Sequence, residues 1–165
     1  MENHKCRFCN HKINNVFVDL GISPLSNAFL KEENLHQPEK RFPLKVFVCE
    51  NCFLVQLPEF ETPQKIFNEY VYFSSYSKIW LKHAESYADM ISEKIRLGKD
   101  SLVIELASND GYLLQFFKKQ GIPVKGIEPA RNVAKIAEEK GIETIVEFFG
   151  EKLAQKLSSE DTKAD

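Results

Sequence analysis

Long apolar runs are missing from this 165-residue chain. None reaches the roughly 18 residues that a membrane span needs. The opening Met1-Glu2-Asn3-His4-Lys5 lacks the apolar core of a signal peptide. An excess of charge of one sign is missing too: 22 basic and 24 acidic residues are interspersed and leave a formal net charge of −2. That excludes a basic footprint for nucleic acid or anionic lipid. Neither internal repeats nor low-complexity tracts occur, and cysteines number only four. The expectation is a cytoplasmic protein whose partner is a small molecule, with neither nucleic acid nor membrane. A reducing cytosol argues against disulfides and for thiolates on a metal.

What is present is the material of a folded protein. Hydrophobic residues make up 43% and charged residues 28%, and the length suits one ordinary domain or two small ones. Residues 1–60 alternate short apolar runs with polar, proline-containing turns, as small β-structures do. Strands are expected at 16–18, 44–48 and 53–57, with an extended loop from Ser23 to Phe42. This section is too small to bury a full core and calls for a metal or disulfides. Residues 61–98 form a linker with an aromatic cluster at 70–76, then a helix from about Lys78 to Leu97 stopped by Gly98. Trp80, Ala84, Tyr87, Ile91 and Ile95 define its expected buried stripe, and the helix is read as a bridge between domains. Residues 99–165 change style. Strands at 102–107, 124–127 and 144–148 alternate with helices at about 111–120, 130–140 and 151–157. That is the β-α-β-α-β-α order of an α/β protein with a doubly wound parallel sheet.

The cysteines come as Cys6-x-x-Cys9 and Cys49-x-x-Cys52, with 39 residues between the pairs. Two intervening residues put both sulfurs of a pair on one side of a tight turn, so two pairs supply the four corners of a closed structural zinc site. The gap exceeds that of common zinc ribbons, but loop closure becomes costlier only slowly with length. A redox pair would sit at a helix start in a thioredoxin-like unit, which is absent, and four unrelated thiols would not fall into matched pairs. An iron tetrathiolate uses the same ligands and remains an alternative. A zinc-dependent interaction module without catalysis is the runner-up reading for the whole chain.

The strongest chemical signal follows the strand at 102–107. Glu105-Leu106-Ala107-Ser108-Asn109-Asp110-Gly111-Tyr112 runs from a buried strand through small residues into a helix, the framing of a nucleotide site. Glu128, 23 positions after Glu105, ends the next strand, where an acid accepts hydrogen bonds from a ribose diol. A dinucleotide loop needs three glycines, yet Ala107 and Asn109 occupy two of the tight positions and only Gly111 remains. Glu105 would repel a phosphate but suits an ammonium. On electrostatics the loop fits S-adenosylmethionine better than NAD.

Several segments together resemble the zinc-containing, S-adenosylmethionine-dependent sugar C-methyltransferases of deoxysugar biosynthesis. They are Cys6–Cys9, Asp19–Asn27, Val48–Cys52 with Leu54–Leu57, Tyr72–Ser77, Glu105–Leu114, Gly126–Ala130 and Val146–Gly150. The resemblance implies a four-cysteine zinc domain ahead of the first half of a class I, Rossmann-like methyltransferase sheet. It implies methyl transfer to a ring carbon of a nucleotide-linked keto sugar through an enolate. The cofactor would be held by Glu105, Ala107, Ser108, Asn109 and Gly111 at its methionine part, by Glu128 with Pro129 at the ribose, and by Tyr76 closing over it. Read from the residues alone, Tyr72, Phe73 and Tyr76 serve equally as core aromatics. Members of the family run longer, and their proposed catalytic cluster lies beyond residue 165, so no catalytic residue is named. The chain is expected to be a truncated part of such an enzyme, inactive alone and prone to associate through the open edge of its strand at 102–107.

Overall fold

In the computed structural model, which describes residues 4–67 and 69–165, strand pairing is antiparallel before Ile66 and parallel after it. Residues 1–3 and Asn68, which fall in the expected first domain and linker, lie outside the described residues. Two units separate at this point, one up to Ile66 and one from Phe67 onward.

The first unit is a three-stranded antiparallel sheet in the order β1 (Asn15–Ser23), β2 (Phe42–Val48), β3 (Val55–Gln56). β1 is longer than the expected Val16–Val18, and its pairing with β2 slips twice, between Val16 and Val18 and between Asp19 and Ile22. These irregularities break the alternation that marks a strand in a sequence, so the far half carries no strand signal. β3 is shorter than the expected 53–57. Phe53 has a left-handed backbone (φ 61°) and its amide bonds the Cys49 carbonyl at 2.9 Å, so it belongs to a turn. The long polar connection contains a single 3-10 turn at Glu32–Asn34. A short helix, α1 (Pro63–Phe67), was not expected. Proline at a first helical position suits it, and the Thr62 carbonyl receives the amides of Lys65 and Ile66.

In the second unit a 3-10 turn at Ser74–Tyr76 leads into α2 (Lys78–Ile95). The Ser77 hydroxyl caps it by accepting from the Trp80 amide at 3.2 Å. The helix stops not at Gly98 but at Arg96, in the left-handed conformation (φ 60°), with the Leu97 amide reaching back to the Ser92 carbonyl. Leu97 then packs on the core, the hydrophobic contact that accompanies such a stop. The buried face runs through Leu81, Ala84, Ala88 and Ile91. Trp80, Tyr87 and Ile95 of the expected stripe are 43%, 42% and 51% exposed. Alanines sit at the centre because Phe116 and Phe117 of the next helix fill the space opposite.

β4 (Val103–Leu106), β5 (Val124–Ile127) and β6 (Thr144–Ile145) form a parallel sheet in that order. α3 (Leu114–Lys119) and α4 (Arg131–Glu139) make the two crossovers, and α5 (Glu151–Ser159) follows β6. Val103 and Val124 pack towards α2 and α3, while Ile104, Ile127 and Ile145 pack on Leu153 and Leu157 of α5. Apolar residues on both faces explain why these strands read as short continuous runs. Among the described residues no strand pairs with the outer edge of β4, and the Asp165 amide bonds the Leu102 carbonyl there at 3.2 Å. No helix among the described residues is long and apolar enough to cross a membrane.

Candidate functional site

The four cysteines converge through two hairpins built alike. In the first, the Cys6 amide bonds the His11 carbonyl and the Asn10 amide bonds the Cys6 carbonyl, at 2.8 and 2.9 Å. In the second, the Cys49 amide bonds the Leu54 carbonyl and the Phe53 amide bonds the Cys49 carbonyl, at 3.0 and 2.9 Å. Each turn is completed by a left-handed residue just after its second cysteine, Asn10 (φ 58°) and Phe53 (φ 61°). Asparagine tolerates that conformation, whereas phenylalanine adopts it under strain that the rest of the site must hold. All four sulfurs lie within 4.8 Å of one another, and none is disulfide-bonded. Cys6 and Cys52 approach to 3.6 Å and Cys9 and Cys49 to 3.5 Å. A tetrahedron of sulfurs about 2.3 Å from a zinc ion has edges of about 3.8 Å, so the donor set fits the ion.

Three of the thiols, Cys6, Cys9 and Cys52, are shifted by their surroundings. The Cys9 backbone amide, aided by the Gln56 side chain, lowers the Cys6 thiol to about 6. The Asn51 side chain and the His11 amide lower Cys9. Cys52 is pushed up to about 12. The Leu54 amide pulls it down, but desolvation and its three neighbouring sulfurs outweigh that pull. Four thiolates packed this closely need a cation among them to ionise together.

The second cluster sits at the end of β4. Glu105 is the third residue of the strand, and the chain then takes a left-handed conformation at every second residue: Ala107 (φ 56°), Asn109 (φ 50°) and Gly111 (φ 73°). Such coiling turns successive backbone amides to one side. Gly111 is required for another reason as well. A Cβ there would stand 2.4 Å from Ile142 Cδ1 and 3.3 Å from Ala137 Cβ. Ser108 is fully buried against Gly126, where a Cβ would stand 2.5 Å from the serine Oγ.

The two predicted acids differ in their surroundings. Glu128 is 6% exposed; one carboxylate oxygen accepts from the Asn109 amide at 3.0 Å and the other from the Ala130 amide at 2.8 Å. It ties the loop to the end of β5, and each oxygen keeps one lone pair. Glu105 is the reverse: its Oε2 is buried without a hydrogen-bond partner among the described residues. Desolvation, with smaller contributions from Asp110 and Glu128, raises its carboxyl to about 8 against a hydrogen bond from Tyr112 that lowers it. Tyr112, which the sequence did not mark as functional, stacks on Trp80 with ring centroids 6.0 Å apart.

The remaining predicted residues spread around this centre. Asn109 does not leave its side chain free. Its Oδ1 accepts from the Ser74 amide at 2.8 Å and its Nδ2 donates to the Tyr72 carbonyl at 3.1 Å. Pro129 lines a cavity of about 600 Å³ with Asn132, Lys135, Val146 and Phe148. Tyr76 is 94% exposed, so it is not a core aromatic.

Residues 6–67 match the family described as "Putative zinc binding domain". Over 155 residues, 94% of its length, the chain is 34% identical to "C-methyltransferase NovU" of Streptomyces niveus. It spans 37% of the length of that curated relative. The resemblance to the N-terminal portion of a C-methyltransferase with a zinc-binding domain is therefore borne out. Zinc binding rests on both the family match and the convergence of the four sulfurs.

Proposed function

We propose that this chain supplies the zinc-binding and cofactor-binding parts of an S-adenosylmethionine-dependent C-methyltransferase acting on a nucleotide-linked keto-deoxysugar. The observation that carries the reading is the orphaned, buried carboxylate oxygen of Glu105 at the mouth of the β4–α3 loop. A buried carboxyl oxygen without a partner suits a donor, and a cationic donor would favour the ionised acid. S-adenosylmethionine carries an ammonium and no phosphate, whereas a dinucleotide would bring its pyrophosphate to this acid.

The three-strand order and the helices on both faces suit the first half of a class I methyltransferase sheet. On this reading Glu105 holds the ammonium. The coiled segment from Ala107 through Ser108 and Asn109 to Gly111 lies along the methionine part, its Ser108, Asn109 and Gly111 amides being committed to Ile127, Glu128 and Ser108 and so fixing the shape of the loop. Glu128 turns its remaining lone pairs to the ribose hydroxyls beside Pro129, and Tyr76 closes over the cofactor. When bound, the cofactor offers an electrophilic methyl group. Transfer of that methyl to a ring carbon of the keto sugar, made an enolate by loss of the proton next to its carbonyl to a base not named among these residues, would break the sulfur–methyl bond and release S-adenosylhomocysteine. The zinc is structural, since four thiolates leave no open position for substrate.

Calorimetry with this chain tests the reading. S-adenosylhomocysteine is expected to bind, and NAD to bind more weakly or not at all. Glu128→Gln, which keeps the volume and one acceptor, is expected to weaken binding tenfold or more, the value of roughly 1.5–3 kcal/mol for a hydrogen bond to a charged acceptor. Tighter binding of NAD would overturn the class, and parent-like affinity in the variant would remove Glu128 from the site.

A further inference from the structure

The segment before α2 is tied down mainly through its backbone, by side chains from the 107–111 loop and from α4 and its end. Asn132 pairs with both backbone groups of Tyr70, accepting from the amide at 3.1 Å and donating to the carbonyl at 2.7 Å. Asn109 holds Tyr72 and Ser74, as described above. Asp110 Oδ2 accepts from the Ser75 amide at 3.2 Å. Lys140, one residue beyond α4, then locks the arrangement. Its Nζ donates to the Ser75 hydroxyl at 2.8 Å and to the Asp110 carbonyl at 2.7 Å, and it lies 3.5 Å from Asp110 Oδ2. Two of the three ammonium donors make hydrogen bonds and the contact with Oδ2 is an ion pair.

This is a large polar investment in a short turn. The Asp110 side chain is only 2% exposed, and burying a charge is costly unless it is paired. A turn needed only to lead into α2 would be served by the Ser77 cap. The element that these contacts place is the turn Ser74–Tyr76, which ends in a tyrosine 94% exposed and held by no packing of its own. Asp110 belongs to the 107–111 loop, whose Asn109 amide donates to Glu128. The turn is therefore bonded directly to the loop that joins β4 to α3.

We infer that Asp110 and Lys140 are positioning residues: they hold the Ser74–Tyr76 turn against the 107–111 loop and so fix where Tyr76 meets the cofactor. The inference rests on the cofactor reading above and adds two residues to it. Neither touches the ligand; both act through Tyr76. Asn109, one residue earlier, shares the work by clamping Tyr72 and Ser74.

Because Trp80 is the single tryptophan of the chain, its fluorescence can follow titration with S-adenosylhomocysteine in four proteins: parent, Lys140→Met, Tyr76→Ala and the double variant. Lys140→Met is expected to weaken binding about tenfold in the parent background, the scale of a lost charge-assisted hydrogen bond. In the Tyr76→Ala background it should change affinity by less than about twofold, because a residue acting through another contributes nothing once the other is gone. Equal losses in both backgrounds, or none in the parent, would overturn the inference. Should Lys140→Met fail to fold, Ser75→Ala removes only the hydroxyl acceptor and carries the same comparison, with an expected loss of about threefold. A parent that binds no S-adenosylhomocysteine would bring down the cofactor reading together with this inference. Binding in the parent with additive losses would bring down the inference alone.

Discussion

The two units of this chain are held together in different ways. In the first, the buried cluster consists of Cys6, Ile13, Phe47 and Cys49, with Cys9, Cys52 and Leu54 packed around it. Four of those seven residues are the metal ligands. β1 contributes little: Val16, Phe17, Leu20 and Ile22 are each at least half exposed. In the second unit the main cluster joins α2, α3, α4 and the sheet through Ala84, Ala88, Leu114, Phe116, Phe117, Ile122, Ala137 and Ile142. One unit is organised around an ion, the other around apolar packing. The difference teaches where stability and function separate. In the first unit the residues that bind the ion are the core. In the second the core lies under the site, leaving Glu105 and the 107–111 loop free to be strained and under-partnered.

The sharpest way to break the comparison is to remove a ligand. Cys49→Ser, or chelation of the metal, is expected to unfold the first unit outright. Zinc bound to such sites contributes on the order of 10 kcal/mol, more than a domain of this size holds in reserve. Backbone amides of β5 in the second unit should keep their hydrogen-exchange protection. Elemental analysis of protein purified without added metal should give about one zinc per chain. A Cys49→Ser variant in which the β1–β2 amides remain protected would show that apolar packing carries the first unit too.

A smaller effect should appear only in the second unit, and it comes from Glu105. Its carboxyl is raised from 4.5 to about 8 by burial. Below pH 4.5 the group is protonated both folded and unfolded and contributes nothing to pH dependence. Between 4.5 and 8 the folded chain keeps a proton that the unfolded chain has released, so stability falls as pH rises, by up to about 1.4 kcal/mol per pH unit. Above about 8 the loss is complete and constant. Thermal melts across this range should show the fall in the parent and a flatter profile in Glu105→Gln. A ligand ammonium would favour the ionised form, so S-adenosylhomocysteine should lessen the fall. If parent and variant melt with identical pH profiles, Glu105 is not the buried acid described here.

Both architectures could be read from local chemistry, and the readings failed where distant residues decide. The paired Cys-x-x-Cys motifs and the short apolar runs at β4 and β5 are signals carried by neighbours in the chain. So are the small residues of the loop and the acid that ends β5. The extent of β1 is hidden because bulges destroy its alternation. The start of β3 is hidden because nothing in the letters announces a left-handed phenylalanine at 53. The resemblance places Asn109 at the cofactor, but its side-chain partners Tyr72 and Ser74 lie some 35 residues away and have no local signal. Asp110 and Lys140 went unnoticed for the same reason, being 30 residues apart.

The end of α2 supplies the finest test. Gly98 is the obvious stop, yet the helix ends with Arg96 in the left-handed conformation, φ 60° and ψ 45°. A side chain with a Cβ is disfavoured there, and glycine is the residue that usually fills this position. Arg96→Gly should therefore stabilise the second unit by about 0.5–1 kcal/mol, after allowing for the greater freedom glycine has when unfolded. Because α2 packs on α3, the gain should raise the melting transition of the second unit by a few degrees, on the order of 4 °C per kcal/mol for a unit of this size. The metal-dependent transition of the first unit should not move. The measurement is a thermal melt of parent and variant, with and without a chelator, so that the two transitions are assigned. A lower melting temperature for Arg96→Gly would mean that the arginine side chain contributes more than its backbone strain costs. A shift of both transitions by the same amount would mean that the two units do not unfold separately, and the contrast between an ion-held and a packing-held unit would have to be given up.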